Sequence, residues 1–280
     1  MKMETRRWNI GAMEVAYTVF GWTAFATWAC SFYPQLLLNF SRKSVVGLSL
    51  NFLLLNNTKH ILYFIYNTSL FFSPDVRFQY YQKFGFDQMI PVAANDVALS
   101  THAVVLTSML LVQSAVYQRG NQSISKVVIA ILLAVWLIAA LCFFIAFPSK
   151  SWLWLISIFN TMQVILAVIK YSPQGIMNFI NKSTQGFSIS YVLLDLCGGL
   201  ANVAQMLTQS IDQNSWANFS GNIGKVLLCL IAISFDVLFM FQHYVLYPPS
   251  NSAMAPPNKF THAITKPLIN SPHYPLPPTV

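Results

Sequence analysis

Seven stretches of the chain are apolar for long enough to cross a membrane: residues 12 to 35, 47 to 69, 89 to 117, 127 to 147, 152 to 178, 187 to 210 and 223 to 246. About 20 residues of helix span the roughly 30 Å of hydrocarbon in a bilayer. The pattern therefore predicts seven transmembrane helices, with the two termini on opposite sides. No basic n-region, short apolar core and small-residue cleavage site precede the first window, so helix 1 is expected to insert as its own anchor. After the last window, residues 248 to 280 hold nine of the fourteen prolines. A tail of that composition is expected to stay disordered or polyproline-like.

The pattern repeats. Tyr33 to Asn56, YPQLLLNFSRKSVVGLSLNFLLLN, aligns without a gap on Ser172 to Asp195, SPQGIMNFINKSTQGFSISYVLLD, with ten identities in 24 positions. Asp96-Val97 and Asp236-Val237 give a weaker echo at an offset of 140. Helices 1 to 3 thus repeat as helices 5 to 7, four spans apart and so in the same orientation. The expected fold is an all-α membrane protein of two parallel three-helix bundles, residues 12–117 and 152–247, joined by linker helix 4 in 118–151. Residues 1–11 form a short lumenal tail and 248–280 a cytosolic one. In parallel-repeat transporters the substrate site sits near the midplane between the repeats.

Composition narrows the class. The chain is 55% hydrophobic and 9% charged, against about 25% charged in soluble domains. The net charge of +8 is scattered over short loops, which argues against nucleic acid as a partner. Arg42, Lys43, Arg119, Lys126, Lys182, Lys259 and Lys266 fall on one side, against Arg77, Lys83 and Lys150 on the other. The positive-inside rule then places the C-terminus in the cytosol, with Lys2, Arg6 and Arg7 dissenting. Sequons at Asn67 and Asn218 would face the lumen, and those at Asn121 and Asn181 the cytosol. The four cysteines have no metal or redox spacing and read as small core residues.

Candidate chemistry lies at membrane depth, where ionisable groups are costly and default to function. Pro34-Gln35 and Pro173-Gln174 occupy equivalent places near the ends of helices 1 and 5. A proline there frees a backbone carbonyl and kinks the helix, and the duplication favours a paired hinge and gate over two static kinks. Asp195 is the leading proton-coupling candidate, with Gly198 and Gly199 a turn on leaving space for a ligand or a close helix. Its repeat partner is the neutral Asn56. A carboxylate there can load a proton from an acidic lumen and release it to the cytosol; the plainer alternative is structural pairing with Lys170. Asp96 and Asp236 read as a symmetric pair for substrate ammonium groups or protons, or as packing hydrogen bonds. Asn160, Gln163, Lys170, Gln174 and Asn178 share roughly one side of helix 5. Lys170 suits a substrate carboxylate; Lys225 could hold a second, or could snorkel to the interface. His102 and His243 read as caps of interior polar networks. No metal-ligand spacing, phosphate loop or nucleophile elbow is present, so neither a cofactor nor an enzyme activity is expected.

The two Pro-Gln repeats, KYSPQGIMNFINKSTQGFSISYVLLD and the closing FDVLFMFQHYVLY resemble the cystinosins of the PQ-loop family, from about Phe20 to Tyr247. The resemblance implies proton-coupled export of L-cystine from lysosome or vacuole. It assigns coupling to Asp195, with Asp96 and Asp236 as further acidic sites. It assigns substrate contacts to Lys170, Asn178, Asn56, Lys225, Trp28 and Phe32. Tyr191 stands where animal members carry asparagine, Asn51 where they carry aspartate, and Lys59-His60 adds charge to helix 2. The chain is most similar to the shorter plant or fungal form. The rivals are a PQ-loop carrier of cationic amino acids and a non-transporting membrane receptor.

Overall fold

The computed structural model describes residues 8–45, 48–118, 123–184 and 189–248, and among these every regular element is a helix. Helix 1 of the sequence becomes two pieces, α1 (Gly11–Cys30) and α2 (Tyr33–Arg42). Helix 2 is α3 (Leu50–Phe72), followed by a short α4 (Pro74–Phe84). Helices 3 and 4 are α5 (Ala94–Val116) and α6 (Lys126–Ser149). Helices 5 and 6 are α7 (Trp152–Asn181) and α8 (Ile189–Gln213). After the single turn of α9 (Ala217–Gly221), helix 7 is α10 (Ile223–Phe241), which continues through a π-helical turn, Gln242–Leu246. Side chains open several of these elements by accepting a backbone N–H: Ser49 for α3, Ser73 with Pro74 for α4, Ser125 for α6 and Asn222 for α10.

Among the described residues five spans, α5, α6, α8, the first 21 residues of α7 and α10 with its π turn, are long and apolar enough to cross a membrane. Helix α3 has the length, at 23 residues, but carries Asn56, Asn57, Thr58, Lys59 and His60 in one run, all buried. Its polarity faces protein, as lipid requires. The outer helix α6 is the reverse, apolar nearly all round with few buried positions.

The repeat is visible in the backbone and in the bonds. Lys43 and Lys182, which terminate the two Pro-Gln helices, both adopt a left-handed conformation, φ 48° and 45°. Asn39 Nδ2 donates to Gln113 Oε1 at 3.0 Å, and Gln113 Nε2 donates to the Leu36 carbonyl. Asn178 Nδ2 donates to Gln242 Oε1 at 2.9 Å, and Gln242 Nε2 donates to the Gly175 carbonyl. These are the same clasp in each half. They equate Asn39 with Asn178 at an offset of 139, but Gln113 with Gln242 at 129. The expected equivalence of Asp96 with Asp236 is therefore corrected: helix 3 and helix 7 correspond with a ten-residue shift, which pairs Asp96 with Lys225. A glycine and an asparagine confirm the shift by trading places. Gly21 of α1 abuts Asn95 of α5, whereas Asn160 of α7 abuts Gly224 of α10.

The two prolines behave differently. Ser31 and Phe32 interrupt helix 1 with tight i to i−3 bonds to Trp28 and Ala29 just before Pro34, whereas α7 runs unbroken through Pro173. The side chains of Pro173 and Gln174 lie outside the described residues, as do residues 249–280 and with them the proline-rich tail. Asn67 and Asn218 are buried and bonded within the protein, Asn67 to the Asp96 carbonyl and Asn218 to Met206 and Ser210, so neither sequon can accept a glycan in this fold. One sequence expectation, that all four cysteines are core residues, is overturned. Cys229 is a core residue and Cys142 is half-buried, but Cys30 and Cys197 are exposed, Cys30 where it lines a cavity.

A Cβ added at Gly224 would collide with the Asn160 amide, which donates to Asn222 Oδ1 at 3.0 Å. Gly224→Ala is expected to destabilise the protein by about 1–3 kcal/mol through overpacking, read as a lower thermal midpoint of the detergent-solubilised protein.

Candidate functional site

The two ends of the bundle are bonded in opposite ways. At the α4 end, bonds run across the seam between the repeats. Lys225 Nζ of α10 meets Asp96 Oδ1 of α5 across that seam at 2.7 Å and, within its own repeat, Gln205 Oε1 of α8 at 2.9 Å. Gln205 Nε2 donates to Asn95 Oδ1, Asn222 Nδ2 to the Pro91 carbonyl and Tyr66 OH to the Gly221 carbonyl. Asp212, at the end of α8, accepts from the backbone N–H groups of Asn9 and Ile10 at the start of α1. At the Pro-Gln end, the clasps stay inside each repeat, joined by Tyr33 OH with His102 Nε2 and Thr184 Oγ1 with His243 Nδ1. Among the described residues the first end is bonded across the seam, and the second is bonded within each repeat.

Between them lies the cavity. One face of α3 presents Asn56, Lys59, His60 and Tyr63, spaced i, i+3, i+4 and i+7. Helix α7 adds Lys170 and Tyr171, α8 adds Tyr191 and Asp195, and the end of α1 adds Trp28, Ser31 and Phe32. The inner chamber is about 60 Å³. It shares Ser31, Phe32, Lys170 and Tyr191 with a wider chamber of about 430 Å³ that reaches Pro34, Gln35, Leu48 and Phe52 at the Pro-Gln end and includes Asn56. The outer chamber lies within the roughly 300–1,000 Å³ of small-molecule sites.

Asp195 Oδ2 accepts a hydrogen bond from Tyr171 OH at 2.7 Å. Lys170 Nζ donates to Tyr191 OH at 3.4 Å and lies over the rings of Phe52 and Tyr171. No ion pair joins Lys170 to Asp195; each holds a tyrosine instead, which leaves both charges available to a ligand. Trp28 Nε1 donates to the main-chain oxygen of Asp195 at 3.2 Å. A Cβ on Gly198 would come within 2.5 Å of that indole nitrogen. The glycine therefore admits the side chain of a close helix, the second of the two readings made for it. Asp236 is fully buried, and among the described residues neither of its oxygens has a hydrogen-bond partner.

The sequence-derived candidates thus divide. Trp28, Phe32, Asn56, Lys170, Tyr191, Asp195, Pro34 and Gln35 line the chambers. Lys225 neither faces the cavity nor snorkels outward: it is 3% exposed and belongs to the α4 end with Asp96. The pairing follows from two opposite charges buried at adjacent helices, where leaving either alone is prohibitive. Asn178 is held in the helix 5 to helix 7 clasp and does not line either chamber. Sequence reasoning missed Tyr171, and gave Lys59 and His60 no role. The signal was present, since both follow Asn56 by one helical turn.

The PQ loop repeat family matches residues 16–76 and 155–215. The chain is 56% identical to the cystinosin homolog of Arabidopsis thaliana over 266 residues, 95% of this chain and 98% of that one. It is 40% identical to cystinosin of Bos taurus over 236 residues, 84% of this chain and 64% of that longer protein. It is 26% identical to the cystine transporter of Saccharomyces cerevisiae over 247 residues, 81% and 92% of the two.

Removing one partner of the buried Lys225–Asp96 pair strands the other. Lys225→Met or Asp96→Asn alone is expected to cost about 3–5 kcal/mol, while the double substitution should cost less than either. Thermal unfolding of the four proteins in detergent measures the coupling.

Proposed function

The chain belongs to the cystinosin family of PQ-loop repeat proteins, and on that premise we propose that it exports L-cystine with protons from an acidic lysosomal or vacuolar lumen to the cytosol by alternating access. The observation that carries the proposal is Asp195: a buried carboxylate at the inner end of an open cavity, bonded among the described residues to one tyrosine hydroxyl and within reach of Lys170. Zwitterionic amino acids need both signs of charge, and the cavity offers Asp195 for an ammonium group and Lys170 for a carboxylate. Relatives named cystinosin and cystine transporter support the substrate.

The cycle follows from the two ends. With the Pro-Gln end facing the cytosol, the present arrangement is open to the cytosol and shut to the lumen. Reorientation would break the cross-repeat bonds at the α4 end and draw α2 and the end of α7 together, bending where Ser31 and Phe32 already interrupt helix 1. A protonated Asp195 carries no charge through that change, and the tyrosine hydroxyl beside it offers a partner to either form. Asp236, buried without a hydrogen-bond partner, is the second carboxylate suited to carrying a proton. Asp96, neutralised by Lys225, serves the shut end, where protonation would loosen its hold. A carrier of cationic amino acids would need the opposite balance, since lysines outnumber carboxylates in the inner chamber. A receptor without transport would need no chamber open to one end.

Basic residues support this orientation, with Arg42, Lys43 and Lys182 at the Pro-Gln end. Protein redirected to the cell surface, lumenal side outward, should take up labelled L-cystine several-fold faster at an outer pH of about 5.5 than at about 7.4, because outward-facing carboxylates load protons from the acidic side. Asp195→Asn should abolish the acid stimulation. Uptake of lysine or arginine in place of cystine would overturn the substrate.

A further inference from the structure

Lys59 is the charged group in the cavity that the mechanism above does not use. It is 8% exposed, lines the inner chamber with Lys170 and Asp195, and among the described residues no hydrogen bond or ion pair holds its ammonium. A buried lysine left in that condition is costly, and its persistence calls for a partner that comes and goes. The repeat sharpens the point. At the offset of 139, Lys59 corresponds to Gly198 and His60 to Gly199. In the second half the position is empty so that Trp28 can pack over it; in the first half the same position carries a long cationic arm. The residue 139 after Trp28 is Ala167, small and fully buried in α7, against which α3 packs. The bulky side chain has changed helices, and the cavity has gained a second ammonium group.

We propose that Lys59 is a specificity-determining residue that binds the second carboxylate of the substrate while Lys170 binds the first. This rests on the reading of the protein as a cystine carrier and adds to it a requirement for two carboxylates on one ligand. Lys59 comes from α3 and Lys170 from α7, so a substrate with anionic groups at both ends bridges the seam between the repeats. Each repeat then contributes one cation. A substrate with one carboxylate would leave one of two buried ammonium groups uncompensated, which is how a site rejects a near neighbour. Asp195, bonded to Tyr171, stays available to an ammonium group.

The test uses the full chain in proteoliposomes and measures inhibition of labelled L-cystine uptake by three disulfides. These are L-cystine itself, with two carboxylates, the cysteine–cysteamine mixed disulfide, with one, and cystamine, with none. The wild type should prefer L-cystine over the mixed disulfide by about tenfold or more, as expected for losing a charge-assisted contact. In Lys59→Met the KM for L-cystine should rise about tenfold, and that preference should collapse toward unity, whereas Lys59→Arg should keep it. Because the preference is a ratio measured on whatever protein is folded, partial loss of folding does not mimic it. A Lys59→Met carrier that keeps the preference, or loses affinity for both disulfides alike, overturns the proposal. A wild type that takes up no cystine defeats the underlying carrier reading instead.

Discussion

Inside hydrocarbon there is no water to satisfy a polar group, so every buried amide and charge must find its partner in the protein. The placement of those partners organises this molecule. At one end they lie across the seam: Lys225 with Asp96, Gln205 with Asn95, Asn222 with Pro91, and Asp212 with the start of α1. At the other, among the described residues, they lie within each half, as in the twin clasps of Asn39 with Gln113 and Asn178 with Gln242. The first pattern welds two bundles together, and the second makes each rigid in itself. A cavity open to one side is the geometric result.

Pseudo-symmetry supplies the scaffold, and departures from it supply the chemistry. Asn56 and Asp195 occupy the same place in two copies, as do Lys59 and Gly198 and, with the shifted register, Asp96 and Lys225. In each pair one half has a charge where the other has a neutral side chain, a glycine or the opposite charge. Duplicated helices thereby enclose a site with distinct walls, one presenting Lys59 and the other Asp195.

The fold was largely legible because its signals are strong and local. Apolar length sets the spans, and the Pro-Gln segment repeats without a gap. The line of cavity residues from Trp28 to Asp195 was also readable, since most of it lies in or beside those repeated segments. The register of helices 3 and 7 was not, because Asp96-Val97 and Asp236-Val237 match by two residues alone. The true correspondence is carried by Gln113 and Gln242, single residues identified only by what they bond. The fate of Lys225 was likewise hidden. A lone lysine at membrane depth does not disclose whether its partner is a ligand, the interface or an aspartate 129 residues away. Tyr171 was missed because a tyrosine beside a lysine carries no signal until α8 is packed against it.

The ten-residue shift between the repeats has a physical location. The connection from helix 2 to helix 3 is longer than that from helix 6 to helix 7 and holds α4, where the second repeat has the single turn of α9. Val76, Tyr80 and Tyr81 of α4 pack into a core with Tyr66, Leu70, Leu153 and Ile156, and Tyr80 also reaches the Met89 and Ala217 carbonyls. One mouth of the bundle is therefore roofed by a folded cap and the other is not. In the alternating-access cycle proposed above, opening the roofed mouth would expose aromatic surface, a cost the other mouth would not bear. An idle molecule would then rest with its bare mouth open. The cap would act as a return spring, worked against by what binds at the roofed side.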